Sequence, residues 1–253
     1  MSSNAVEISD VHFAYGDLEI FRGLSLEIPR GKITVEGKNV HTLPADELYQ
    51  LRLTMGMMFQ TSGLFSDLNV FENVAFPIRE NFDVPEELLR KVVLMKLHAV
   101  GLRGAHAMMP ADLSGGMTRR VALARAVATD PRLIMYDEPF AGLDPISLNH
   151  IGELIRKMNE ALGITSIVVT YDVKEALEVA DYAYMICDGV VLARGTPKEF
   201  AASGDPYVKQ FLHAEPDGPV RFHFPGPPLE EDLHISAKEG ADHGRERQPE
   251  RAG

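Results

Sequence analysis

The run Leu133-Ile134-Met135-Tyr136-Asp137-Glu138-Pro139 is apolar for four residues and then delivers two adjacent carboxylates before a proline. A short, continuous apolar run bounded by turn residues reads as a strand buried on both faces, the setting of a parallel sheet. The C-terminal edge of such a sheet is where open α/β folds bind their ligands. Two carboxylates there suit nucleoside triphosphate hydrolysis. The first helps to hold a hydrated magnesium ion and the second polarises the attacking water. Acids at strand ends are also common turn residues, so the pair takes its meaning from its neighbours.

Working outward, Leu113-Ser114-Gly115-Gly116-Met117 supplies a Ser cap and two glycines at the start of a helix. Bare backbone amides and the positive end of a helix dipole make that turn an anion site. On the other side, Ala141-Gly142-Leu143-Asp144-Pro145 is a tight turn leading into the next helix. Gln60, in Met57-Met58-Phe59-Gln60-Thr61, follows an apolar, strand-like stretch. Four such elements in this order are far more specific than any one of them.

The remaining pattern is α/β. It predicts a helix opened by Pro85 and running to about Val100, and another from the Ser114 cap through Thr129. After the strand at Leu133 come a helix over 146–161, a strand over Ile164 to Thr170 and a helix over 173–180. A strand from Tyr182 to Cys187, an Asp188-Gly189 turn and a strand from Val190 to Ala193 complete the alternation. The first forty residues instead predict short strands at Val6–Ile8, Val11–Tyr15, Leu24–Ile28 and Ile33–Glu36, most simply paired as antiparallel hairpins.

Composition bounds the function. The 253 residues are 45% hydrophobic and 25% charged, the balance of a globular protein with a sizeable core. No stretch has the eighteen or so apolar residues of a membrane span, and the N-terminus lacks the pattern of a secretion signal. The single cysteine, Cys187, excludes an internal disulfide framework and reads as a buried, inert thiol. Lys+Arg number 25 against 37 Asp+Glu, a net charge of −12, which disfavours general binding to nucleic acid. The nine histidines show no ligand spacing. The Met55-Met57-Met58 and Met108-Met109 clusters read as packing, and Arg119-Arg120 as a solvated helix face.

Taken together, the four elements resemble the ATPase subunits of ABC transporters, over about residues 5–215. In that family's terms Leu113 to Met117 matches the signature loop, Leu133 to Glu138 the Walker B strand, Ala141 to Asp144 the D-loop and Gln60 the Q-loop. Tyr15 matches the aromatic that stacks on adenine. Met117, the run Phe71-Glu72-Asn73-Val74-Ala75-Phe76-Pro77 and Val93-Leu94-Met95-Lys96-Leu97 resemble the ATPases of Mla-type phospholipid transporters. Pro219 to Pro225 resembles that group's C-terminal extension.

The chain departs from the family at two points. The phosphate-binding pattern G-x-x-x-x-G-K-[ST] is absent, since neither Gly31-Lys32 nor Gly37-Lys38 has the upstream glycine or the following hydroxyl. The sequence passes from the turn at Pro29-Arg30-Gly31-Lys32 directly to a strand that in relatives comes later. About 30 residues, the size of one strand–loop–helix unit, have no counterpart. Tyr171 stands where the family places a histidine that contacts the γ-phosphate, and a phenol does not exchange protons near neutrality as imidazole does.

The resemblance therefore implies a P-loop NTPase-like ABC fold over 5–213. It has an N-terminal antiparallel β subdomain, a helical subdomain near 60–130, and no core strand–P-loop–helix unit. An extension over 214–229 docking on a dimer partner and a disordered tail over 230–253 follow. It implies Mg-ATP as ligand, with Glu138 positioning the water, Asp137 and Gln60 serving magnesium, and Tyr15 on the base. Ser114, Gly115 and Gly116 act on nucleotide held by the partner, and Asp144 communicates between subunits. The partners implied are a second ATPase subunit, a transmembrane permease and a STAS-type regulatory subunit, on the cytoplasmic face of the inner membrane. The alternative reading is a catalytically inactive structural or regulatory subunit.

Overall fold

A computed structural model describes residues 6–8, 11–15, 18–24, 33–187 and 189–220, with the backbone alone for the first three segments. The chain builds two kinds of sheet. The N-terminal strands are antiparallel: β2 (Val11–Tyr15) pairs with β3 (Leu18–Leu24), and β1 (Val6–Ile8) pairs with β4 (Ile33–Val35), which turns into β5 (Lys38–Asn39). The turn between the last two uses Gly37 at φ +77°, a conformation open to glycine at no steric cost. A strand that the sequence did not single out, β3, lies at Leu18–Leu24. Residues 25–28 of the strand expected over Leu24–Ile28 fall outside the described residues.

After α1 (Ala45–Leu53), strands β6 (Met55–Met58), β7 (Leu133–Asp137) and β8 (Thr165–Val169) form a parallel sheet in the order β6-β7-β8. Their register aligns Met57, Met135 and Ile167 across one face and Met58, Tyr136 and Val168 across the other. The second face carries the main core. Helices α2 (Val70–Asn81), α3 (Glu86–Ala99), α4 (Gly115–Ala126) and α5 (Pro145–Leu162) bury it with Val74, Val93, Leu97, Val121, Leu123, Ile151 and Ile155. Among the described residues the first face is covered mainly at its beginning, where Val35 and Leu51 pack on Leu133 and the partly buried Met55 and Ile167 join them. Farther along it, Met57 is 41% exposed and Val169 60%.

Helix α6 (Val173–Val179), the hairpin β9 (Ala183–Cys187) and β10 (Val190–Gly195), and helices α7 (Pro197–Ala201) and α8 (Pro206–His213) complete the described chain. Cys187 is half-buried rather than sealed in a core: it shares the half-buried face of β9 with Ala183 and Met185, while Tyr184 and Ile186 on the other face are exposed. The signature helix ends at Ala126, not Thr129, where the chain turns through Asp130 at φ +49°. Residues 214–220 fold back on α8: Gln210 Nε2 donates to the Val220 carbonyl at 2.9 Å and its Oε1 accepts from the Val220 amide at 2.8 Å. Residues 221–253, with most of the expected extension and tail, lie outside the described residues.

The fit between sheet and α4 is closest at Gly56, where an added Cβ would sit 2.4 Å from the Ala126 carbonyl oxygen. Gly56→Ala is expected to lower the unfolding free energy by about 1–3 kcal/mol, the usual range for overpacking. Urea denaturation checks it, and an unchanged midpoint would mean that the strand and helix are not in contact there.

Candidate active site

Strand β7 carries its carboxylates to the C-terminal edge of the parallel sheet, as its sequence predicts. Glu138 is 7% exposed and fully engaged. Its amide donates to the Val169 carbonyl at 2.8 Å, its Oε2 accepts from the Thr170 hydroxyl at 3.0 Å, and its Oε1 accepts from the Tyr171 amide at 3.0 Å. The Thr170 hydroxyl is itself held by the Asp172 amide at 3.0 Å. Glu138 takes φ +46°, the left-handed region that a residue with a Cβ adopts only when its surroundings impose it. These hydrogen bonds impose it, and they aim the carboxylate at the loop after β8.

Tyr171 meets Glu138 through its backbone. The residue is otherwise 88% exposed. Thr170 was not singled out by the sequence, since a threonine at the end of a strand has no distinguishing signal until the loop brings it under Glu138.

Asp137 is half-buried and lies near the guanidinium of Arg119, as does Glu138. Arg119 corrects the sequence reading. It is 8% exposed rather than solvated, because it reaches inward from α4 between two loops. One terminal nitrogen donates to the Phe59 carbonyl at 3.3 Å and the other to the Ala141 carbonyl at 3.1 Å. Burial lowers the Arg119 pKa, and the two carboxylate charges oppose that fall. Arg119 thus ties the residue before Gln60 to the turn before Asp144, directly under the carboxylates. Beside it, burial pushes the Tyr136 phenol up to about 12.

The loop bearing Gln60 has two further anchors. Arg125 donates to the carbonyls of Gly63 at 2.7 Å and Ser62 at 2.8 Å. Asn73, fully buried at the start of α2, accepts from the Phe65 amide at 2.8 Å and donates to the carbonyls of Phe65, Leu68 and Asn69. A loop held this firmly leaves Gln60 exposed at a fixed place at the end of β6, next to the end of β7.

A second group forms at the start of α4. Ser114 is the N-cap of that helix and accepts from the Met117 amide at 3.3 Å, leaving Gly115 with open space where a side chain would be. A Cβ on Gly116 would meet the Ser147 hydroxyl at 3.0 Å. That hydroxyl donates to Asp144 Oδ2 at 2.6 Å, while Asp144 Oδ1 caps α5 by accepting from the amides of Ile146 and Ser147, both at 3.0 Å. Signature turn and D-loop turn therefore touch through Ser147. Tyr15 ends β2, where only the backbone is described.

Among the described residues no group of three or more His, Cys, Asp or Glu could cage a metal ion. Asp137 and Gln60 would hold a hydrated magnesium ion only as two ligands, the rest coming from water and phosphate oxygens. The described residues fit the cation side of a nucleotide. The amides and lysine that would hold its phosphates are not among them, and both terminal nitrogens of Arg119 go to carbonyls.

The geometry is that of an ATP-binding cassette seen without its phosphate loop. The chain belongs to the ABC transporter family, whose sequence model matches residues 18–141. Within that family its likeness is to the Mla type. It is 48% identical over 254 aligned positions to the intermembrane phospholipid transport system ATP-binding protein MlaF of Haemophilus influenzae, covering 89% of this chain and 96% of that one. It is 43% identical over 260 positions to the protein of the same name from Escherichia coli, covering 91% and 97%. Among solved structures it resembles the dimeric post-hydrolysis state of the cassette MJ0796 bound to ADP and Pi, with TM-score 0.66, 26% identity, and 76% of this chain and 98% of that one covered. Since 89% of 253 residues is about 225, about 29 of the 254 positions aligned with the Haemophilus protein have no counterpart here.

The Asp144 cap yields a pH prediction. The Ser147 hydroxyl, then the backbone amides, hold its carboxyl below the usual range. A depressed folded-state pKa stabilises above the unfolded value near 3.9 and loses that effect as the pH falls through the folded value. Asp144→Asn keeps a capping side chain and removes the charge. Its thermal midpoint is expected to fall below that of the unaltered chain at pH 7 and to converge with it below about pH 4. A gap independent of pH would contradict the assignment.

Proposed function

We propose that the chain is the nucleotide-binding subunit of an ABC system that moves phospholipid, and that it works as a dimer beneath a transmembrane permease at the bacterial inner membrane. The observation that carries this reading is near-full-length identity of 48% to a protein named for intermembrane phospholipid transport. The absence of any helix long and apolar enough to cross a membrane, among the described residues, agrees with a peripheral subunit.

In this reading Mg-ATP is the ligand. Asp137 and Gln60 attend the magnesium ion, Glu138 positions the attacking water, and Tyr15 stacks on the base. Ser114, Gly115 and Gly116 close over nucleotide on the opposite subunit, with Asp144 at the contact. Tyr171 occupies the place of the γ-phosphate histidine and supports Glu138 through its amide. Residues 5–213 form the ATPase domain, with α2 to α4 in a helical subdomain over about 60–130. The stretch 214–229 extends toward the dimer partner, and a STAS-type protein regulates the assembly.

The test is ATP turnover by the chain assembled with its permease in phospholipid vesicles. Glu138→Gln, which keeps the shape and removes the basic carboxylate, is expected to lower the rate by about 10²–10⁴. Equal rates for the two proteins would reject the reading in favour of an inactive structural subunit.

A further inference from the structure

Strands β6 and β7 stay in register through Met58 and Tyr136, and there their pairing ends. The chain after β6 then turns through Ser62 at φ +64° and Gly63 at φ +54°, with the Ser62 amide donating to the Phe59 carbonyl at 2.9 Å. The chain after β7 turns through Gly142 at φ +71°, with the Leu143 amide donating to the Phe140 carbonyl at 3.3 Å. Among the described residues no backbone hydrogen bond joins the two turns. The Arg119 guanidinium joins them instead, through its bonds to the Phe59 and Ala141 carbonyls.

Burying a guanidinium against neutral carbonyls is costly unless other charge offsets it, and Asp137 and Glu138 supply that charge from the end of β7. A planar fork holds two acceptors at a fixed separation, which the single ammonium of a lysine cannot do. We propose that Arg119 is a positioning residue that couples the two turns, so that a shift of the loop bearing Gln60 moves the turn before Asp144, and the reverse. In the nucleotide-binding reading Gln60 attends the magnesium ion and Asp144 the contact between subunits. On that reading, occupancy of one subunit's cation site is felt at its partner through a single side chain; the coupling itself does not depend on it.

Hydrogen exchange of the full chain without nucleotide tests the coupling, with the amides of Ser62 and Leu143 as reporters and every variant first shown to melt cooperatively. Gly63→Ala strains the first turn, because alanine resists a positive φ, while its Cβ makes only ordinary contacts with Arg125 at 3.5 Å and Phe59 at 3.7 Å. It is expected to speed exchange at Leu143 by about threefold or more. Ser147→Ala removes the hydroxyl bond to Asp144 and is expected to do the same at Ser62. In a background of Arg119→Lys, which keeps the charge and gives up the fork, each effect should stay at its own turn. Arg119→Met should behave likewise. Transmission that survives in either background would overturn the proposal, since the packing of α4 would then carry it. Turns that respond independently with Arg119 in place would overturn it too. No nucleotide is present, so the result stands apart from whether the chain turns over ATP.

Discussion

A three-stranded parallel sheet with helices packed on one face is the constraint on which the structure depends. Tyr136, Ile134 and Met58 lie under α4 and α5 and are almost completely buried. Burying each such side chain contributes about 1.5–3 kcal/mol, so this face fixes where β7 ends. The position of that end fixes Asp137 and Glu138 in turn. Among the described residues the opposite face contributes less, because its buried cluster is confined to Val35, Leu51 and Leu133, with Ile167 packed against them. Among the described residues the carboxylates thus stand between a well-covered face of the sheet and a less covered one.

Helix α4 links that core to the loops around the carboxylates. Its first turn meets the D-loop helix through Gly116 and Ser147, its middle sends Arg119 under the carboxylates, and its last turn sends Arg125 to the loop after Gln60. A displacement of the signature turn would therefore be felt at Gln60 and at the turn before Asp144 through hydrogen bonds to backbone carbonyls. Hydrogen bonds from charged groups are worth about 1.5–3 kcal/mol each where they are shielded from water, as the part-buried Arg119 bonds are, and less at the surface, where Arg125 meets Gly63.

Much of this was legible in the sequence. The four apolar residues before Asp137, the Ser114 cap and the Asp144 turn each carry a local signal, because strand burial and helix capping depend on residues close together in the chain. Helix α2 was not legible, because Pro77 lies inside it and reads as a breaker, yet the helix tolerates it. Arg119 was misread as solvated for a different reason: a charged residue is expected outside unless its partners are known, and those partners lie 60 and 22 residues away. Thr170 was invisible on the same ground. The absent phosphate loop was legible as a missing pattern, whereas the less covered face of the sheet became visible only once the strands were in register.

The most direct test of this sheet order is native-state hydrogen exchange of the chain alone, read at the amides of β7 and β8. Strand β7 is paired on both sides, so the amides of Leu133–Asp137 should exchange only on global unfolding. In Thr165–Val169 alternate amides point toward an edge with no partner among the described residues, and those should exchange faster by orders of magnitude. Uniform protection along β8, equal to that of β7, would show that the edge is already filled and would contradict the account.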